Sequence, residues 1–166
     1  MDVLVVRHGV AQDREEARQL GVLDCDRALT TEGRTKMKRV ARGLASRVPQ
    51  LSAILTSPWR RAVETADLLQ KPYQLLRRVE TEALIPGADP SELAAQVAAQ
   101  FPASVVALVG HEPHLSSWVS WCLTGSLDGI VELRKGGALL LRFDEMIGAR
   151  RARLAWLMTP GVLRRL

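Results

Sequence analysis

The 166-residue sequence predicts an α/β fold: a three-layer sandwich with a mostly parallel central sheet, helices on both faces and an antiparallel edge hairpin. Three observations predict it. Short, continuously apolar runs rich in β-branched residues recur along the chain, the pattern of strands buried on both faces. Between them lie longer stretches with apolar residues at i, i+3, i+4 and i+7, the spacing of amphipathic helices. Near the end the alternation stops, and two strand-like runs follow each other with no helix between them. At about 100–200 residues per domain, the length fits a single domain over residues 1–166. No repeat, low-complexity tract or Pro/Ser-rich linker divides it.

Taken in order, Val3-Leu4-Val5-Val6 is the first strand, and Arg7-His8-Gly9 follows it at once. Asp13 to Asp26 is polar and acidic and reads as a loop with a helical turn. Thr30 is placed to cap a helix, with Glu32 in its first turn favoured by the dipole. Met37, Val40, Ala41, Leu44, Ala45 and Val48 form its apolar stripe, and Pro49 stops it. Ser52 to Thr56 is a second strand. Ser57-Pro58 reads as an N-cap followed by proline at the first helical position. That helix carries Ala62, Val63, Ala66 and Leu69 on its inner side and ends near Lys71-Pro72. A third strand is expected near Gln74–Arg77. Asp89-Pro90-Ser91-Glu92 has the form of a capping box for a helix through Phe101. Val105 to Val109 is another buried strand, leading into Gly110-His111-Glu112-Pro113, and the next helix places Leu115, Trp118, Val119 and Cys122 on one face. Ala138–Phe143 and Arg153–Met158, joined by a short turn, form the hairpin.

Composition narrows the function classes. Apolar residues make up 47% and charged residues 25%, which excludes a disordered or collagen-like chain. No apolar run approaches the ~18–20 residues of a membrane span, so no membrane partner is expected. Met1-Asp2-Val3 has an acid where a signal peptide carries its basic region, so a cytoplasmic location is expected. Cys25 and Cys122 are isolated thiols, which argues against a disulfide framework and a thiol-redox motif. They also lack the basic loop that would activate a cysteine nucleophile. Three histidines spread along the chain cannot build a histidine-rich metal cluster, and neither metal nor cofactor is expected.

The net charge is +5, and of the 23 basic residues only Lys36, Lys38, Lys71 and Lys135 are lysines. Arginine binds phosphate through a planar, bidentate fork. A non-catalytic basic binding module is one reading, with Arg150-Arg151-Ala152-Arg153 and Arg164-Arg165 as its clusters. Against it, no nucleic-acid motif appears, and one tyrosine and two phenylalanines leave little for base stacking. Nucleic acid is not an expected partner.

In open α/β sheets, ligands bind outside the carboxyl ends of the strands. Arg7 and His8 follow the first strand, Ser57 and Arg61 the second, and His111 the strand at Val105–Val109. Two histidines among several arginines suit phosphoryl transfer through a histidine. A neutral imidazole is a nucleophile that forms a covalent intermediate, and nearby guanidinium groups disfavour its protonated form. The same cations stabilise charge on the phosphoryl oxygens as the group transfers.

Arg7-His8-Gly9 resembles the RHG signature of the histidine phosphatase superfamily, the phosphoglycerate-mutase-like proteins. Leu29-Thr30-Thr31-Glu32-Gly33 is similar to its L-T-x-x-G segment. Ser57-Pro58-Trp59-Arg60-Arg61-Ala62-Val63-Glu64-Thr65 resembles its S-P-x-x-R-A-x-x-T segment, and Gly110-His111-Glu112-Pro113 its second histidine motif. Order, spacing and short length are most similar to the SixA-like phosphohistidine phosphatases, as are the Lys135-Gly136-Gly137 turn and the ending from Thr159-Pro160 to Leu166. The resemblance implies a catalytic set in which His8 is the phosphorylated nucleophile while Arg7, Arg61 and His111 bind phosphoryl oxygens. It implies Arg27 as an additional substrate-phosphate arginine. Glu82 is the nearest match to the glutamate that protonates the leaving oxygen in larger members. The implied activity is a metal-independent phosphatase acting on phosphohistidine of a phosphotransfer domain or phosphocarrier, with a small phosphomonoesterase as the alternative. His114 is expected to be structural, and Arg60 an exposed neighbour of an inward-facing Arg61.

Overall fold

Strand β1 (Asp2–Arg7) shows why the chain needs two helical layers. Val3 and Val5 enter one apolar cluster and Leu4 and Val6 another, and all four have no exposed surface. Side chains alternate across a strand, so an apolar run without alternation demands cover on both sides. Each such Val or Leu contributes about 1.5–3 kcal/mol by leaving water.

The computed structural model describes residues 1–73, 76–101 and 104–166. After β1 come α1 (Arg14–Gln19), a 3-10 turn (Asp24–Asp26), α2 (Thr31–Arg47), β2 (Ala53–Thr56), α3 (Arg60–Gln70) and β3 (Arg77–Glu80). A second 3-10 turn (Glu82–Leu84) precedes α4 (Pro90–Gln100), β4 (Val105–Gly110) and α5 (His114–Thr124). The chain finishes with β5 (Ala138–Phe143), β6 (Ala152–Met158) and α6 (Pro160–Leu163). The sheet order is β3-β2-β4-β1-β5-β6. β1, β4, β2 and β3 pair in parallel, whereas β5 is antiparallel to both β1 and β6. The expected α/β sandwich is therefore present. Its one reversed strand is β5, so the edge strand β6 runs in the same direction as β1.

The two clusters are the two faces of the sheet. On one, Leu93 and Val97 of α4 and Leu115, Trp118 and Cys122 of α5 pack on Val3, Val5, Leu55, Val106 and Leu108. On the other, Met37, Val40 and Leu44 of α2 and Ala62, Ala66 and Leu69 of α3 pack on Leu4, Val6, Ile54, Ala107 and Val109, with Leu163 of α6.

Two expectations need correction. The third strand is β3, Arg77–Glu80, rather than Gln74–Arg77; Gln74 and Leu75 lie outside the described residues. β3 is an edge strand with Arg77, Arg78 and Glu80 exposed, so no apolar run marks it. The hairpin connection is not a short turn but spans residues 144–151, and the register slips where Leu140 faces Trp156 and Leu141 faces Leu154. That slip is a bulge at Ala155.

Register places the site. Arg7 pairs with Gly110 and Thr56 with Val109, so the chain leaves β1, β4 and β2 at one end of the sheet with His8, His111 and Ser57 as the next residues. The ladder continues one step further: His8 N–H donates to Gly110 O at 3.0 Å and Ser57 N–H to Val109 O at 3.0 Å. Thr30 caps α2, its hydroxyl accepting from Gly33 N–H at 2.9 Å. A side chain on Gly33 would place its Cβ 2.0 Å from Val10 O, so only glycine lets α2 press on the segment that follows His8. Gly136, with φ +78°, lets a tight turn direct its N–H at the carbonyls of Arg7 and His8, 3.1 Å from each.

Candidate active site

His8 is held by its neighbours in one tautomer. Its Nδ1 lies 2.7 Å from the carbonyl oxygen of Gly9, which can only accept, so Nδ1 carries the proton. Nε2 keeps its lone pair, and Arg61 Nε–H donates to it at 3.2 Å. Burial above all, with the positive charges of Arg61, Arg7 and Lys135, brings the imidazole down to about 3, against the opposing pull of the Gly9 carbonyl. His8 is thus neutral at physiological pH. Gly9 is fixed in turn by Thr65 on α3: Gly9 N–H donates to the Thr65 hydroxyl at 3.0 Å, and that hydroxyl donates to Arg61 O at 2.7 Å.

His111 stands beside His8, with ring centroids 5.1 Å apart. Burial first, and then repulsion from a proton on His8 and from Arg61, His114 and Arg27, lowers it to about 2. Its Nε2 is 2.8 Å from the Ser57 hydroxyl, while its Nδ1 is buried without a hydrogen-bond partner. Ser57 is therefore not the N-cap of α3. Trp59 occupies that position without a side-chain cap, and Ser57 accepts from Trp59 N–H at 3.3 Å while facing His111. Nothing in a Ser-Pro pair reveals that a histidine from another strand will reach it.

Arg61 starts the inner face of α3, 2% exposed, and its whole guanidinium is engaged. Besides Nε on His8, Nη1 donates to Asp24 O at 2.6 Å and Nη2 lies 3.5 Å from the Asp24 carboxylate. The Trp59 ring lies 4.7 Å away, with its other close partner, His111, at 4.9 Å. Burial, and secondarily the charge of Arg27, lowers Arg61 to about 10 even with Asp24 opposing, so it remains cationic. Arg60, the preceding residue, is exposed and pairs with Glu64 at 3.1 Å.

Arg27 is 8% exposed and donates to Asp24 Oδ1 at 2.7 Å and to Gln12 O at 2.6 Å. Arg7 donates to Leu133 O at 2.6 Å, and its Nε is buried without a partner. Together these side chains line one cavity of about 390 Å³, with Lys135 and Pro113 at its wall. The structure thus brings together His8, Arg7, Arg61, His111 and Arg27. It does not bring in Glu82, which is exposed at the start of the second 3-10 turn and absent from the cavity wall. His114 is structural: its Nε2 is 3.1 Å from Ala83 O, pinning that turn to α5.

Sequence reasoning gives no role to Asp24, Trp59 and Thr65, although Trp59 and Thr65 stand inside the S-P-x-x-R-A-x-x-T segment. Thr65 had a signal, since it lies one turn beyond Arg61 on the same face of a helix. Asp24 had a fainter one, an acid three residues before Arg27. Burial alone pushes the Asp24 carboxyl up, but its bond to Arg27 and the charges of Arg61, Arg27 and Arg14 outweigh this and leave it below the ordinary range. Glu112 holds the loop behind the cavity, accepting from Leu133 N–H at 3.0 Å and Ser116 N–H at 3.3 Å. Among the described residues no group of three or more His, Cys, Asp and Glu side chains is arranged to hold a metal ion. Among the same residues, no helix is long and apolar enough to cross a membrane.

Solved structures share this architecture. The protein histidine phosphatase SixA complexed with tungstate superimposes with a TM-score of 0.83 at 23% identity, covering 98% of this chain and 99% of that one. A candidate phosphohistidine phosphatase SixA of Agrobacterium tumefaciens gives 0.76 at 23% identity, covering 96% and 98%. An uncharacterized protein of Picosynechococcus sp. (strain ATCC 27264 / PCC 7002 / PR-6) is 34% identical over 146 residues, 86% of this chain and 85% of that one. Residues 3–85, which carry Arg7, His8, Arg27 and Arg61, match the model of the histidine phosphatase superfamily (branch 1), and the chain belongs to that superfamily.

Proposed function

We propose that this protein is a cytoplasmic, metal-independent phosphatase that hydrolyses phosphohistidine on a phosphotransfer domain or phosphocarrier, through a phosphohistidine intermediate on His8. One observation carries the reading: a buried, neutral imidazole whose proton is held at Nδ1, leaving the Nε2 lone pair among Arg7, Arg61, Arg27 and His111.

In the first step Nε2 attacks phosphorus, and the substrate's N–P bond breaks with its electron pair going to the leaving nitrogen. In the second, water attacks the phosphorus on His8, the Nε2–P bond breaks, and the water's protons remain with phosphate and solvent. The buried donors that lack partners, Arg7 Nε and His111 Nδ1, suit phosphoryl oxygens. The Ser57 hydroxyl donating to His111 Nε2 would keep the proton on Nδ1 for that purpose. By comparison with oxyanion-hole donors, removing one such contact costs about 2.7–4 kcal/mol in the barrier.

The acids around the cavity support a phosphohistidine rather than an ester. An alkoxide leaving group needs a proton from a general acid, whereas the imidazole of a protonated phosphohistidine leaves neutral. Asp24 is held by arginines, Asp13 accepts from the N–H groups of Glu15 and Glu16, and Glu112 accepts two backbone N–H groups. Asp13, lowered first by its bonds to Glu16 and Glu15, and Asp24 are both ionised at neutral pH.

The test is hydrolysis of a phosphohistidine-bearing carrier protein and of p-nitrophenyl phosphate by the wild type and by His8→Ala. Turnover of the phosphoprotein by the wild type, abolished in His8→Ala, is expected. Equal activity of the two proteins refutes the nucleophile. Activity on the ester alone moves the substrate to small phosphomonoesters. Salt-sensitive nucleic-acid binding with no turnover returns the basic binding module.

A further inference from the structure

Asp24 is shared by three guanidinium groups. Its Oδ1 lies 2.7 Å from Arg27 Nε and 3.3 Å from Arg14 Nε, and its Oδ2 3.5 Å from Arg61 Nη2. Its main-chain oxygen accepts from Arg61 Nη1 at 2.6 Å. The side chain stays 35% exposed, and the residue forms part of the cavity wall. Asp13 and Glu112 line the same cavity, but their carboxylates serve backbone N–H groups. Among the described residues, Asp24 is the carboxylate that pairs with the cavity's arginines.

This arrangement creates a conflict for an anion. A phosphate entering the cavity meets Arg27 and Arg61 already engaged by a negative charge, and like charges in a partly dehydrated site repel more strongly than in water. The cost falls on every bound anion, including the inorganic phosphate left after hydrolysis. Release of product limits many enzymes, and a pocket of three unbalanced arginines would hold phosphate tightly. We propose that Asp24 is a built-in counterion, a positioning residue that aims Arg27 and Arg61 while keeping the cavity's affinity for released phosphate low. The proposal rests on the phosphatase reading for its purpose but not for its measurement.

The two roles differ in sign. A residue that merely held the arginines in place would, when removed, weaken phosphate binding. A counterion, when neutralised, strengthens it. Asp24→Asn keeps an oxygen acceptor for Arg27 and deletes the charge. Its dissociation constant for inorganic phosphate is measured by calorimetry, and its inhibition constant for phosphate by competition with p-nitrophenyl phosphate. Both are expected to fall about tenfold, equivalent to about 1.4 kcal/mol, with KM falling in parallel. Asp24→Glu, which restores the charge, is expected to return phosphate affinity to within about threefold of wild type, under 1 kcal/mol. Should Asp24→Asn not fold, Asp24→Ser carries the same expectation. Phosphate affinity that is unchanged or weaker in the neutral variant, or no binding by either protein, overturns the proposal. Calorimetry needs no turnover, so the outcomes separate. An inactive protein whose neutral variant binds phosphate more tightly loses the phosphatase reading and keeps the counterion. An active protein with unchanged phosphate affinity does the reverse.

Discussion

Replacing Thr65 by valine tests whether α3 positions the nucleophile. Thr65 is fully buried, and its hydroxyl is the acceptor for Gly9 N–H, the residue whose carbonyl holds His8. Valine has the same shape but puts a methyl group where the oxygen was. Gly9 N–H is then buried without a partner, which costs about 1–3 kcal/mol. The lost donation to Arg61 O matters less, because that carbonyl also serves the helix. A methyl carbon also keeps a separation of about 3.5 Å or more, so the 3.0 Å contact must open by about 0.5 Å and carry the His8 turn with it. For a chain of this length 1 kcal/mol shifts Tm by about 2–4 °C, so a fall of about 2–12 °C is expected. Displacement of the nucleophile is expected to lower kcat by about tenfold, less than the hundredfold associated with a 1 Å error. Thermal denaturation followed by circular dichroism and turnover of p-nitrophenyl phosphate measure the two effects, and Thr65→Ser should recover most of both. A valine variant with wild-type Tm and kcat refutes the linkage from α3 through Gly9 to His8.

The histidines make stability depend on pH. His8 and His111 titrate near 6.5 when unfolded but at about 3 and about 2 in the folded protein, so between these limits the unfolded chain binds more protons. Stability is therefore full above about pH 6.5 and falls as pH drops toward 3, by about 1.4 kcal/mol per pH unit for each histidine. Burial also lowers His114, which adds to the slope; urea denaturation at pH 7.5, 6 and 5 should show it, with His8→Asn removing roughly a third to a half, and a flat wild-type profile contradicts the assignment. By the same argument, ionisation of His8 should leave no break in kcat/KM near pH 6.5. Glu82→Gln changes an exposed residue outside the cavity, and kcat on either substrate is expected to stay within about twofold, the range of ordinary surface changes. A hundredfold loss would place Glu82 in the reaction after all.

Much of this molecule is legible residue by residue. Val3 to Val6 and Val105 to Val109 announce central strands because a strand covered on both faces must be apolar throughout. The stripe from Met37 to Leu44 announces a helix because the same face returns every three to four residues. Arg7, His8, Arg61 and His111 stand next to these elements, so locating the strands located them. β3 is not legible in this way, because an exposed edge strand has no apolar run to display.

What chain order and periodicity determine is local: which segments are strands or helices, and which side chains stand at their ends. Tertiary structure decides which of those side chains meet. The pairing of Arg7 with Gly110 brings two histidines 103 positions apart into contact, and turns Ser57 from an apparent cap into a partner of His111. Asp24 and Glu82 are both acids outside the main helices and strands, and the arginine three residues after Asp24 is only a faint local sign of their different fates. One meets Arg61 because α3 delivers that guanidinium to it; the other meets solvent. Local pattern follows from the burial of neighbouring residues, whereas the partner of a charge follows only from the closure of the whole sheet.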